Sequence, residues 1–217
     1  NAGDIDGDGY GDLLVQEGFR GSPSDLTFPV SVHRGGASGV DMARRAMLTV
    51  ESPSCLGEVR LAMASAGDVN GDGYGDLAVG AYRASSGLGR VYLYAGGASG
   101  ISATPAATLN GRDGADGDFG VAVAGVGDVN GDGYADVLVA AASALTATGR
   151  VYLYLGSATG LPTAAATVLT GPEGTLSDFG GCLASAGDIN GDGYADVVVG
   201  AGRVGGFAGR VYLYLGG

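Results

Sequence analysis

One phrase written four times restricts this chain more than any other feature. DIDGDGYGD begins at Asp4, DVNGDGYGD at Asp68, DVNGDGYAD at Asp128 and DINGDGYAD at Asp188. The last three begin 60 residues apart, and the first precedes the second by 64, with the extra residues near 22–28. A fixed period of this length marks one supersecondary unit repeated and stacked on copies of itself. The fold must therefore be one in which like units bury one another.

What surrounds each phrase gives the unit its content. An apolar run follows directly: LLV after Asp12, LAV after Asp76, VLV after Asp136 and VVV after Asp196. Next comes GRVYLY at Gly89, Gly149 and Gly209, with the diverged FPVSVH at Phe28. A third segment is RRAMLTV at Arg44, PAATLNG at Pro105 and AATVLTG at Ala165. A fourth, VRLAMASAG from Val59, FGVAVAGVG from Phe119 and FGGCLASAG from Phe179, leads into the next acidic phrase. β-Branched, aromatic and small residues dominate between glycine turns, and no ten-residue stretch has helical spacing, so four strands per unit are expected. In VYLY both alternating sets are bulky, which suits strands covered on two faces. Four-stranded antiparallel sheets sandwiched between like sheets are the blades of a β-propeller. The all-β reading divides the chain into one propeller segment of about four blades, at roughly 1–51, 52–111, 112–171 and 172–217.

The acids now have a place, in the loop joining the innermost strand of each blade to the second. Their oxygens recur at positions 1, 3, 5 and 9: Asp4, Asp6, Asp8 and Asp12; Asp68, Asn70, Asp72 and Asp76; Asp128, Asn130, Asp132 and Asp136; Asp188, Asn190, Asp192 and Asp196. A hard cation such as Ca²⁺ takes six to eight oxygens at about 2.3–2.6 Å, which needs alternate side chains turned inward around a tight bend. The backbone carbonyl at position 7 completes the set and belongs to Tyr10, Tyr74, Tyr134 and Tyr194. Glycine at positions 4 and 6 permits the bend. The opening matches an EF-hand loop, but Val15, Val79, Val139 and Val199 stand at position 12 where that loop has a bidentate glutamate, so the ninth residue is expected to close the site. Dockerin and thrombospondin-like repeats space such phrases far more closely. Ordinary Asx turns explain the bend but not three or four acids crowded within it.

Charge agrees with this reading. Formal charge is −12, thirteen of the 23 acids lie in the four loops, and four Ca²⁺ would bring the total to −4. A nucleic-acid partner is not expected, because a phosphate backbone needs a cationic footprint and the arginines are scattered. The absence of lysine fits a GC-rich genome. Cys55 and Cys182 fall at different places in the repeat, about two units apart, and are read as buried or free thiols rather than a disulfide. The longest apolar run, 137–142, is too short to span a bilayer, and the missing initiator Met suits a leader removed by processing.

Loop, strand and period together resemble the FG-GAP repeat family, found in integrin α-subunits, in glycosylphosphatidylinositol-specific phospholipase D and in bacterial surface proteins. Phe119-Gly120 and Phe179-Gly180 match its opening, where the second unit has Val59-Arg60, with Leu56-Gly57 just before. Its Gly-Ala-Pro element survives as Gly80-Ala81-Tyr82, Ala140-Ala141-Ala142 and Gly200-Ala201-Gly202, without the proline. The resemblance implies a propeller of usually seven blades in an extracellular or cell-surface protein, bacterial in this reading. Calcium loops would lie on one rim and partner recognition on the other. The recognition segments would be 16–27, 82–88, 141–148 and 202–208 with 52–58, 110–118 and 171–178, where Arg20, Asp25, Arg83, Arg112, Asp113, Glu173 and Arg203 are read as solvated loop residues.

The expected function is non-catalytic: a calcium-stabilised adhesion or ligand-binding module for a protein or glycan. The alternatives are a structural or assembly module of a larger surface protein and an accessory domain of a secreted enzyme. His33, the only histidine, takes the place of Tyr94 in its strand and reads as packing, and no nucleophile or phosphate-loop motif appears. Four units need sixteen strands but the sequence supplies about fourteen. The chain is therefore expected to form part of a larger ring, completed by flanking sequence or by a second copy in a homodimer.

Overall fold

The computed structural model describes residues 1–17, 28–50, 61–114 and 116–217. Fourteen strands in four sheets, with two single helical turns, make up the regular structure of the described residues. The first sheet contains β1 (Leu13–Gln16), β2 (Phe28–Arg34) and β3 (Asp41–Val50), and the second β4 (Ala62–Gly67), β5 (Asp76–Ala81), β6 (Arg90–Tyr94) and β7 (Ala107–Asn110). The third contains β8 (Phe119–Gly127), β9 (Asp136–Ala141), β10 (Arg150–Tyr154) and β11 (Thr167–Thr170), and the fourth β12 (Phe179–Gly187), β13 (Asp196–Ala201) and β14 (Arg210–Tyr214). Every pairing is antiparallel between sequence neighbours. In the first sheet an isolated bridge, Gly3 to Asp12, stands where the other sheets have their first strand.

The doubled bulk of VYLY has the consequence expected of it. Val91 and Leu93 are buried against the third sheet, whereas Tyr92 and Tyr94 are buried against the first. Each interior sheet thus contributes to two cores, one with each neighbour, and three such cores run through the molecule. The chain is a β-propeller segment. Among the described residues it does not close into a ring, and Val211 and Leu213, the counterparts of Val91 and Leu93, are 71% and 48% exposed.

The Phe-Gly openings are the seam between sheets. Phe179 is buried, packs edge-on against Tyr212 of its own sheet at 5.6 Å, and lays its backbone on Gly149 of the preceding one. A Cβ at Gly149 would stand 2.1 Å from the Phe179 carbonyl oxygen, and its φ is +86°, so only glycine fits. Phe119 repeats the arrangement with Tyr152 at 5.5 Å and with Gly89.

Departures from the sequence reading are local. Between second and third strands the chain makes single turns at Ala144–Ala147 and Val204–Phe207 whose central residues are left-handed, Leu145 and Thr146 at φ 53° and 62°. Ser85 and Ser86 do the same in the second sheet. Asp113 is no solvated loop residue: its side chain is 3% exposed and binds Arg150 at 2.6 Å and the Tyr152 hydroxyl. Cys182, read as a buried or free thiol, is free and exposed, in keeping with that reading. Cys55, Arg20, Asp25, Val59-Arg60 and the recognition segments 18–27 and 52–58 lie outside the described residues.

Candidate metal-binding loops

Each of the last three acidic phrases begins at a bulge. Register shifts fall between Ser65 and Gly67, Gly125 and Gly127, and Ser185 and Gly187, and the glycine then pairs with the ninth residue of the loop. The bulge turns the chain out of the sheet, and β5, β9 or β13 begins at that ninth residue. Loop ends are thereby held by the ladder while the interior is free to curl.

Inside the curl the first carboxylate organises the backbone. Asp68 accepts the Gly71 and Asp72 amides on Oδ1 at 2.7 and 3.1 Å and the Gly73 amide on Oδ2 at 2.8 Å. Asn70 Oδ1 accepts the Asp72 amide, and Asp72 Oδ1 the Tyr74 amide. Asp128, Asn130 and Asp132 repeat this set around Tyr134, as do Asp188, Asn190 and Asp192 around Tyr194. The two glycines differ in what they are for. Gly73 has φ +88° and open space around it, a purely conformational need, whereas Gly71, at +72°, also lies under the Tyr134 ring of the next loop. Gly7 lies likewise under Tyr74, and Gly131 under Tyr194.

Position nine behaves differently from the rest. Asp76 is fully buried, with Oδ2 accepting the Val69 amide at 3.0 Å and Oδ1 the Gly96 amide at 2.9 Å. Asp12 holds Ile5 and Gly35, Asp136 holds Val129 and Gly156, and Asp196 holds Ile189 and Gly216 in the same way. This residue ties the start of the loop to the end of the third strand, a role that sequence reading missed although both partners repeat with the period. Burial pushes the Asp76 carboxyl up to about 6 against the pull of the two amides, and Asp72 and Asp68 add to the rise. Asp136 is raised for the same reasons.

The structure brings Asp4, Asp6 and Asp8 together, with one oxygen of each within 4.8 Å of the others. Tyr10 follows with its amide on Asp8 Oδ1 at 2.9 Å. In the first loop positions 1, 3 and 5 therefore face a common centre, and in every loop the ninth carboxylate has both oxygens engaged by backbone amides. An all-oxygen set with crowded, partly desolvated acids suits a hard divalent cation, whose charge would offset their repulsion. The residues that could hold one are those at positions 1, 3, 5, 7 and 9 of each loop.

On the other rim the loops interlock across sheets. Ser143 Oγ donates to Asp118, Ser177 Oγ donates to the Thr148 carbonyl at 2.7 Å, and the Asp178 amide donates to the Ala147 carbonyl. The Asp113, Arg150 and Tyr152 group recurs as Glu173, Arg210 and Tyr212. Its members stand one period apart, which was the available signal.

Comparison with known proteins agrees with this architecture. The family described as FG-GAP-like repeat matches residues 128–199, and the FG-GAP repeat matches residues 64–94. The chain is 42% identical over 145 residues to integrin alpha-IIb of Mus musculus, covering 62% of this chain and 14% of that protein. It is 37% identical over 150 residues to integrin alpha-4 of Xenopus laevis, covering 67% and 14%, and 38% identical over 138 residues to integrin alpha-6 of Gallus gallus, covering 62% and 12%. The matched region is thus about one seventh of those relatives. The chain carries integrin-like FG-GAP repeats arranged as propeller blades.

Proposed function

We propose that this chain is a calcium-stabilised, non-catalytic propeller module of an extracellular or cell-surface protein, serving adhesion or ligand binding. The observation that carries the reading is the fourfold return of one oxygen-donor set in an array of integrin-like FG-GAP repeats. Each loop, at the positions named above, would hold one Ca²⁺ and so clamp the first and second strands of its blade. The ion neutralises carboxylates that otherwise repel across the bend, so it supports the fold rather than switching it. Among the described residues no helix is long and apolar enough to cross a membrane.

Ligands, protein or glycan, would meet the opposite rim, where the left-handed turns at 85–86 and 145–147 lie beside the interlocked loops. Backbone held in such conformations fixes a loop's shape before a partner arrives. The exposed Val211 and Leu213 face favours a further sheet packed upon it, as in a larger ring, supplied by the parent protein or by a second copy. Thermal unfolding with and without chelator, beside binding to a protein and glycan array, tests the proposal. Chelation should lower the melting temperature. Unchanged melting with abolished ligand binding would instead place the ions in recognition.

A further inference from the structure

Resting on the reading of the loops as calcium sites, we propose that Arg34 is a built-in counter-charge for the first loop, setting its cation affinity through an exchangeable ion pair with Asp6. The first loop is the only one with an acid at position 3; the others carry Asn70, Asn130 and Asn190. Each of those asparagines donates its amide to the acid at position 5, at 2.9, 2.9 and 2.7 Å. Asp6 cannot donate. Its Oδ2 instead accepts from the Arg34 guanidinium at 2.9 Å, and the two side chains are 5% and 28% exposed.

Arg34 is as singular as Asp6. Gly35, Gly96, Gly156 and Gly216 all donate their amides to position nine, which aligns the residues before them: Arg34, Ala95, Leu155 and Leu215. The extra acid and the extra cation therefore occur in the same blade and touch. Four aspartates with one arginine carry the same net charge, −3, as the three aspartates of every other loop. The pair conserves the electrostatics of the site while changing its chemistry. A cation entering the first loop competes with the guanidinium for Asp6, and Arg34 lines a crevice of about 380 Å³ with Ile5, Asp12, Val32 and Ile101. The guanidinium already rests against Gly100 of the second sheet, where a Cβ would lie 2.7 Å from it. It is held near the loop but has room to withdraw.

Calcium titration of the intact chain and of Arg34→Gln tests this. A unit charge removed from beside a divalent ion in a solvated loop is worth about tenfold in affinity, so Arg34→Gln should tighten one site about tenfold and leave the rest unchanged. Asp6→Asn with Arg34→Gln should return that site to the level of the other three. Should Arg34→Gln fail to fold, the pair can be built in the second loop: Asn70→Asp alone should tighten that site, and Asn70→Asp with Ala95→Arg should restore it. Affinities within twofold of the parent in Arg34→Gln, or in the second-loop series no difference between the single and double variants, would overturn the role of Arg34 while leaving the calcium sites standing. Absence of calcium binding in parent and variants alike would remove both.

Discussion

Val151 and Val211 are the same residue of the same strand in consecutive repeats, yet one is fully buried and the other 71% exposed. The difference lies wholly in what comes next along the stack. Beyond Val151 stands Phe179 with the fourth sheet, whereas the corresponding face beyond Val211 is bare among the described residues. Burial of this position is therefore set by the neighbouring blade, the expectation for a quasi-one-dimensional array whose units contact only neighbours. The same contrast holds for polar groups: Asp113 is sealed in, while Glu173, its counterpart, is 30% exposed.

The largest effect is expected at the seam. Phe179→Ala removes a buried ring between two sheets and should cost about 3–5 kcal/mol, read by denaturant unfolding. A cost under about 1 kcal/mol would mean the seam is not where the stability lies. Valine truncation sharpens the contrast. Val151→Ala should cost about 1.6 kcal/mol for two buried methylene equivalents, and Val211→Ala should stay within about 0.5 kcal/mol. If both cost the same, a partner covers the outer face under the conditions used.

Calcium should act per loop and more gently. At millimolar Ca²⁺ and dissociation constants of about 10⁻⁴–10⁻³ M, each occupied loop adds roughly 0.4–1.4 kcal/mol. Asp132→Ala should lose about one such share and leave chelator-treated protein little changed, checked by melting curves at several calcium concentrations. A separate effect is on pH dependence. Asp76 is raised from 3.8 to about 6, so in the metal-free protein its contribution is full below about pH 4 and is lost as pH rises through about 6. Melting temperature in chelator should fall by a few degrees across that window, and Asp76→Asn should flatten the slope.

Much of this architecture was legible because the period repeats it. The four acidic phrases, the strands that follow and the two bulky faces of VYLY pointed to blades without reference to any contact. What escaped was whatever depends on pairing across the period. Asp76 as a tie to Gly96, Asp113 as a partner of Arg150, and Tyr134 lying over Gly71 each join residues of different segments or repeats, and composition within one segment cannot show them. From sequence Asp6 is one more ligand, since the arginine that distinguishes it lies 28 residues further on. The left-handed turns at Leu145 and Thr146 were also hidden, because neither residue type favours that backbone.

If all four loops take a cation, the ions can be counted. Equilibrium dialysis against millimolar calcium followed by metal analysis should return close to four Ca²⁺ per chain, and asparagine at position nine of all four loops should reduce that number. One ion or none bound to folded protein would show that the loops are not four calcium sites.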